Sequence, residues 1–201
     1  YNYLDNVKAE GDSVGGIIEL KAMNMPVGLG DPVYDKLSAN IAKAMLSIPS
    51  VKGISFGDGE ALASLKGSLG NDQLSSTGFL SNHQGGINGG VSNGNDLRFR
   101  LIIRAVPSVS KPQHTIDKAG NDHIISIQGR HDVCHIPRLI PVAEAMLKLC
   151  LADAIQYQKL ITGEQADLSS YREILDKLDE DLIVLLHRRR EIVEQVKAFK
   201  K

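Results

Sequence analysis

The sequence predicts an α/β (α+β) fold with antiparallel sheets, followed by a long amphipathic C-terminal helix. Alternating apolar segments typical of strands are interleaved with segments of helical periodicity up to about residue 157. Beyond residue 168, helical spacing of apolar residues continues without interruption to the end of the chain. With 42% hydrophobic residues among 201, the chain is large enough for one ordinary domain with an appendage.

Composition excludes several classes of protein. The net charge of −1 gives no overall attraction to nucleic acid or to an anionic membrane. No apolar run reaches about 18 residues, and two cysteines are too few for a disulfide framework. The N-terminal residues are polar rather than those of a signal peptide, and the chain begins at Tyr1 instead of Met. We therefore expect a fragment or processed chain of a cytoplasmic protein.

The first part of the chain predicts two strands around one helix. A strand is predicted over 14–22, a helix over 35–47 and a strand over 51–56. The helix has apolar residues at helical spacings and ends before Pro49. A loop over 64–95, rich in Gly, Ser and Asn, follows; loops of this length usually indicate function or disorder.

The second part predicts strands over 97–106 and 123–127, then a long helix that opens at Pro137. The pattern breaks at 162–165, which predicts domain boundaries of 1–163 for the globular part, 164–168 for a linker and 169–201 for a separate helical segment. That last segment carries acidic residues in its N-terminal part and basic residues in its C-terminal part, an order that the helix dipole favours. A helix of this length needs partner helices to bury its apolar stripe.

Two runs in the sequence are candidates for chemistry. In 81–94, bare glycine amides suit close approach to a phosphate or a flat ring, and a flexible hairpin tip is the alternative. In 129–134, Arg130 can bind a phosphate or carboxylate and Asp132 can relay a proton, and a surface salt bridge at a helix start is the alternative. The histidines in loops, His83 among them, show no metal-ligand spacing and are interpreted as solvated or hydrogen-bonded structural residues.

Several blocks of the chain resemble the chorismate synthase family, in the order in which that family has them. They are residues 11–16 (GDSVGG), 26–37 (PVGLGDPVYDKL), 51–59 (VKGISFGDG), 81–94 and 129–141. The helical run 142–147 (VAEAML) also fits. The resemblance covers residues 11 to about 157.

This resemblance implies a layered β-α-β sandwich of the chorismate synthase type and a homotetramer. It also implies a lyase of the shikimate pathway of aromatic amino acid biosynthesis. The family eliminates phosphate from 5-enolpyruvylshikimate 3-phosphate in an anti-1,4 reaction, and the product is chorismate. The reaction requires reduced FMN (FMNH2) without net redox change, because the flavin lends electron density to the breaking C–O bond and receives the proton at N5.

Carried over by position, the resemblance implies that Asp132 and Arg130 are catalytic. Asp132 helps to handle the proton beside the flavin, and Arg130 contacts the cofactor or the phosphate. The cofactor-binding residues implied are Pro49, Ser50, Gly89, Arg104, Ala105, Val106, Pro107, Ser108 and Arg130. No metal site is expected.

Two departures from the family pattern affect these expectations. The family usually has Lys-Pro-Thr where this chain has Arg104-Ala105-Val106, and arginine is not equivalent to lysine; Lys111-Pro112 is the alternative if the loop shifts. Roughly the first half of the family's sequence, with its histidine acid, is missing. We therefore expect this fragment to be weak or inactive unless another chain supplies that half.

The C-terminal segment resembles the first helix of the all-helical chorismate mutase class. The cations Arg172, Arg189 and Lys200 match it in type and register. In that family they hold the carboxylates and ether oxygen of chorismate during its rearrangement. A coiled-coil dimerisation helix is the alternative, and mutase activity is not expected because the other mutase helices are absent.

The resemblances together predict a fragment at the junction of a fused synthase and mutase. The alternative is a non-catalytic, degenerate synthase half that serves as an oligomerisation or interaction module. A general flavin reductase is disfavoured because no nicotinamide fingerprint occurs in the sequence.

Overall fold

The computed structural model describes residues 2–162 and 168–199. Its longer elements are helix α1 (Asn2–Ala9), strand β1 (Gly16–Ala22), helix α2 (Leu37–Leu46) and strand β2 (Val51–Phe56). A short 3₁₀ helix (Gly59–Ser64) and helix α3 (Gly67–Gly70) follow, and then come the two-residue strands β3 (Leu74–Ser75), β4 (Gly78–Phe79), β5 (Ile87–Asn88) and β6 (Val91–Ser92). The remaining elements are strands β7 (Leu97–Ile103), β8 (Gln113–Ile116) and β9 (Asp122–Ile125), and helices α4 (Ile136–Thr162) and α5 (Leu168–Phe199).

The main sheet is antiparallel, and its strands in the described part of the chain follow the order β1–β7–β2. Alternate residues of the central strand β7 are buried, because successive side chains of a strand point to opposite faces. Leu97, Phe99 and Leu101 have no exposed surface. One face of the sheet therefore builds the core, and the mixture of helices with antiparallel strands confirms the predicted α+β class.

Helices α2 and α4 cover that buried face. In α2 the buried residues Leu37, Ile41 and Met45 recur every four positions, which places them on one side of the helix. In α4, Ala143 and Leu147 have the same spacing and belong to the same core cluster. The two helices fix the chain segments that enter and leave the sheet.

Most of the predicted elements are present, with shifts at their ends. Strand β2 has the predicted bounds, and α2, β1 and β9 lie within or next to theirs. Strand β7 ends at Ile103 instead of residue 106, and α4 begins at Ile136, one residue before Pro137. Helix α1 and strand β8 were not predicted, because all of β8 and nearly all of α1 is exposed or half-buried and neither shows a clear apolar period.

Contacts divide the chain into two units, residues 1–158 and 159–201. The first contains the sheet and its covering helices. The second contains the end of α4 and helix α5, in which Leu178, Leu182 and Leu185 are 58%, 59% and 64% exposed. The predicted linker 164–168 lies outside the described residues except for Leu168, where α5 begins.

Candidate functional site

The segments around Ser50 and Arg104 meet at one end of the main sheet. Val51 and Ile103 are partners in the antiparallel ladder, so the residues just outside them are neighbours as well. The Arg104 backbone N–H donates to the Ser50 carbonyl oxygen at 3.0 Å. Ser50 has φ 77°, a left-handed conformation that non-glycine residues rarely adopt and that is often found at functional sites. The Arg104 side chain is exposed beside this strained turn.

The chain entering β1 brings the Asp132 segment to the same end. The Ser13 hydroxyl donates to the Val106 carbonyl oxygen at 2.6 Å. The next residue, Val14, donates its N–H to the Val133 carbonyl oxygen at 2.9 Å. A Cβ at Gly15 would overlap the Ile103 carbonyl oxygen, so only glycine allows this close approach. Segment 13–15 therefore lies between the exit of β7 and the residues that precede α4.

The cation that contacts Asp132 is Arg138, and sequence reasoning did not single it out. Arg138 Nη1 donates to Asp132 Oδ2 at 2.7 Å, with the arginine 71% exposed and the aspartate 35%. Arg130 is exposed, and none of the ion pairs found within residues 2–162 involves it. The signal that was available is the cation in the first turn of α4, six residues after the acid. Both ring nitrogens of His135, in the same segment, are buried without a partner in the described structure.

Lys111 is held by acids near the start of β1. Its Nζ donates to Asp12 Oδ2 at 2.8 Å and to Glu10 Oε2 at 3.5 Å. The hydrogen bond with Asp12 raises the pKa of Lys111, and the same bond lowers the pKa of the Asp12 carboxyl. In this structure Lys111 is thus engaged in ion pairs, and the position flanking Ser50 is occupied by Arg104. Pro107 and Ser108 continue from there to the buried Val109.

Gly89 lies near the N-terminal end of α2, whereas Pro49 and Ser50 follow its C-terminal end. It stands in the turn between β5 and β6 with φ 61°, and nothing lies within 4 Å of the place where a Cβ would be. The neighbouring Gly90 carbonyl oxygen accepts the N–H of Leu37, the first residue of α2, at 2.8 Å. Pro49 and Ser50 follow the other end of this helix, and ten residues rise about 15 Å. Ser50 and Arg104 are thus hydrogen-bonded neighbours, the Asp132 segment reaches the same end of the sheet through Val133 and Val14, and Gly89 lies at the other end of α2.

A second polar cluster lies where β7 begins, and the sequence did not reveal it. His83 Nδ1 lies 2.6 Å from Asp58 Oδ2, and Arg98 Nη2 donates to Asp58 Oδ1 at 2.6 Å. Since a carboxylate only accepts, Nδ1 of His83 carries the proton. The hydrogen bond from His83, with a further one from Arg98, outweighs burial and lowers the pKa of Asp58. The cluster lines a cavity of about 360 Å³ whose walls include Lys21 and Asp96.

His83 is therefore a hydrogen-bonded structural residue, one of the two interpretations that its sequence position allowed. Asp58 stands in a Gly-Asp-Gly turn after β2, and Arg98 is 40 residues further along the chain. Nothing in local periodicity connects residues so far apart. Only Asp58 carried a local signal, because it is a charged residue between two glycines just after β2.

The comparisons with known proteins extend over most of the globular unit. The family model described as Chorismate synthase matches residues 1–156. The chain belongs to the chorismate synthase family. A chorismate synthase from Syntrophus aciditrophicus is 48% identical over 159 residues, 79% of this chain and 45% of that protein. One from Chloroflexus aggregans is 48% identical over 162 residues, 78% of this chain and 44% of that protein.

A solved structure, titled "Crystal Structure of Chorismate Synthase", agrees in fold as well. It is 30% identical with a TM-score of 0.63, and the match covers 78% of this chain and 41% of that one. The chain thus spans less than half the length of the chorismate synthases it matches. Residues 169–201 lie outside the family match.

Proposed function

We propose that this chain supplies the flavin-binding and proton-handling part of a chorismate synthase. That enzyme catalyses the anti-1,4-elimination of phosphate from 5-enolpyruvylshikimate 3-phosphate, and the product is chorismate. The observation that carries the proposal is that backbone hydrogen bonds hold the Ser50, Arg104 and Asp132 segments at one end of the main sheet, inside the residues that match the family. These are positions to which the family resemblance gives cofactor or catalytic roles.

The residues present fit reduced FMN. The Gly89 turn leaves open space where a side chain would be, so a ring or phosphate can approach the backbone there. At the other end of α2, the exposed Arg104 can pair with an anionic group beside the Ser50 turn. FMN has a ring system at one end and a phosphate at the other, so the two ends of α2 can hold different parts of it. When bound, the reduced flavin supplies electron density to the C–O bond that breaks.

Asp132 is the group that we assign to proton handling. Arg138 occupies its Oδ2 atom, and in the described part of the chain no hydrogen bond engages Oδ1. Oδ1 is therefore the oxygen that can take a proton and pass it on. Arg130, exposed on the same segment, is free to meet the departing phosphate, whose charge a guanidinium stabilises.

The proposal extends to the assembly. The three-stranded sheet with its two covering helices is one side of the layered β-α-β sandwich expected for this family, and the full enzyme is a cytoplasmic homotetramer. Within the described residues, no helix combines the length and apolarity needed to cross a bilayer. We divide the chain into a synthase part (1–163), a linker (164–168) and a mutase-like helix (169–201).

The C-terminal helix favours a second candidate function. Arg189 lies in α5 with an exposed side chain, while Lys200 and the Arg172 side chain lie outside the described residues. A mutase-like role would use all three cations on chorismate. The exposed leucines of α5 favour the alternative, an association element of a non-catalytic module.

Anaerobic titration with reduced FMN, with and without the substrate, tests the main proposal. Binding that tightens when 5-enolpyruvylshikimate 3-phosphate is added supports the enzyme, and Asp132→Asn and Arg104→Ala should weaken it by at least about tenfold. Lys118→Ala, an exposed cation on the β8–β9 turn, is the matched control. A chain that forms a stable dimer and binds no flavin would establish the interaction module instead.

A further inference from the structure

The glycine-rich segment 81–95, which we call the glycine loop, enters the fold through Asp58, His83 and Arg98. Asp58 and His83 are joined through their backbones as well as their side chains. The Asp58 N–H donates to the His83 carbonyl oxygen at 2.9 Å. Arg98 Nη2 also reaches the Asn82 carbonyl oxygen at 3.3 Å. One carboxylate therefore joins the end of β2, the loop entry and the start of β7.

Asp72 is a second anchor of the same entry. Its Oδ1 accepts from the Ser81 hydroxyl at 2.7 Å and from the His83 N–H at 2.6 Å, and its Oδ2 accepts from the Gln84 N–H at 2.9 Å. Burial acts to raise the pKa of Asp72, but these three hydrogen bonds outweigh it and the pKa is lowered. The charged form of Asp72 is thus the form that holds the loop.

The backbone at the entry is packed too closely for side chains. A Cβ at Gly57 would overlap the His83 carbonyl oxygen, and one at Gly85 would overlap the Arg98 carbonyl oxygen. Both glycines have positive φ, 55° and 71°. The loop can approach the strand ends this closely only because Gly57 and Gly85 have no side chains. Asp58, His83 and Arg98 hold it there through their side chains.

The far side of the loop is fixed as well. Ser92, 1% exposed, accepts a hydrogen bond from the Leu29 N–H at 2.9 Å through its hydroxyl, which in turn donates to the Pro26 carbonyl oxygen. Gly90 is bonded to the first residue of α2. Both ends of the glycine loop are therefore held by hydrogen bonds, and among its glycines only Gly89 has no atom within 4 Å of the place where a Cβ would be.

We propose that Asp58, His83 and Arg98 are positioning residues, a clamp that holds the glycine loop in the conformation that presents the Gly89 backbone to a ligand. The role for the ligand rests on the proposed function, with reduced FMN as that ligand. A loop ordered before binding does not pay its ordering entropy at the moment of binding, which raises affinity. The clamp residues touch no ligand themselves; they act through the backbone of 83–90.

Amide hydrogen exchange on the whole chain tests the clamp directly. In Asp58→Asn and His83→Ala, the amides of Gly85 and Asn93, which donate to the Asn82 and Gly86 carbonyl oxygens, should exchange at least about tenfold faster than in the unsubstituted chain. His83→Asn keeps an N–H donor where Nδ1 lies and should restore most of the protection. Asp117→Asn is the matched control, because Asp117 caps the β8–β9 turn by similar hydrogen bonds away from the glycine loop.

Measurements of reduced FMN affinity test whether the clamp positions the glycine loop for the ligand. Asp58→Asn and His83→Ala should weaken reduced FMN binding by about the same factor as they speed exchange, while Asp117→Asn and His83→Asn leave it nearly unchanged. Unchanged loop exchange in Asp58→Asn and His83→Ala overturns the clamp, and faster exchange with unchanged flavin affinity overturns its positioning role. If the unsubstituted chain binds no flavin, the proposed function fails, the positioning role for FMN falls with it, and the exchange data alone decide whether the clamp holds the loop.

Discussion

The two ends of strand β7 are built from different kinds of interaction. Where the strand ends, backbone groups make the connections, from Arg104 to Ser50 and from Val14 to Val133, and the cationic side chains of Arg104 and Arg130 are exposed. Where it begins, side chains make them, and the half-buried carboxylate of Asp58 binds both His83 and Arg98. The first end keeps its charged groups available to a ligand, and the second uses its charged groups to hold a loop.

The largest effect on stability is expected from adding a side chain at the close backbone contact where β7 ends. Gly15→Ala forces a Cβ against the Ile103 carbonyl oxygen, so we expect a loss of about 3 kcal/mol in the free energy of unfolding. Chemical denaturation measures it. Gly67→Ala, where nothing lies within 4 Å of the new Cβ, should change stability little. Equal stability of the two variants would show that segment 13–15 does not hold this end of β7 together.

A smaller effect on stability is expected from acid at the end where β7 begins. The pKa of Asp58 is lowered from 3.8, so its contribution to stability is complete above that value and is lost as the pH falls through the folded-state pKa. Asp58→Asn should therefore be less stable than the unsubstituted chain at neutral pH, and the difference should shrink as the pH falls below 3.8 and through the lowered folded-state pKa of Asp58. Urea unfolding at several pH values measures it. A difference that persists undiminished in acid would mean that the charge of Asp58 is not what stabilises the clamp.

The smallest change in stability is expected from Arg138→Ala. The arginine is 71% exposed, so its pair with Asp132 should contribute only about 0.5 kcal/mol to folding. Flavin affinity should fall by more, about tenfold, because Asp132 loses the contact that orients it. Thermal unfolding and flavin titration of the same sample compare the two. A large loss of stability with unchanged flavin affinity would make the pair structural, and the contrast between the two ends would disappear.

Much of the fold could be predicted because its elements carry their own periodic signal. Leu37, Ile41 and Met45 repeat at helical spacing, and the alternation in β7 matches one buried and one open face. Strand β8 gave no such signal because both of its faces are exposed, and it forms through its pairing with β9. The end of β7 was predicted too late because the apolar Ala105 and Val106 continue the pattern, whereas the strand ends at Ile103, beside the left-handed Ser50 turn.

The candidate site was predicted in part. The resemblance named Asp132, Arg104 and Ser50, whose segments lie at one end of the main sheet, and Gly89, which lies at the other end of α2; their roles stay predictions. Arg138 was missed because its contact with Asp132 depends on the path of the five residues between them. The clamp of Asp58, His83 and Arg98 was missed because its members are distant in sequence.

By itself the sequence determined the class of fold, the family and the residue types that chemistry needs, because periodicity and motif are local properties of the chain. Only the tertiary structure decided which charged groups meet. An ion pair or a carboxylate clamp requires atoms within about 3 Å, and that distance is set by the packing of strands and loops whose residues lie 40 positions apart in Asp58 and Arg98 and 99 in Asp12 and Lys111.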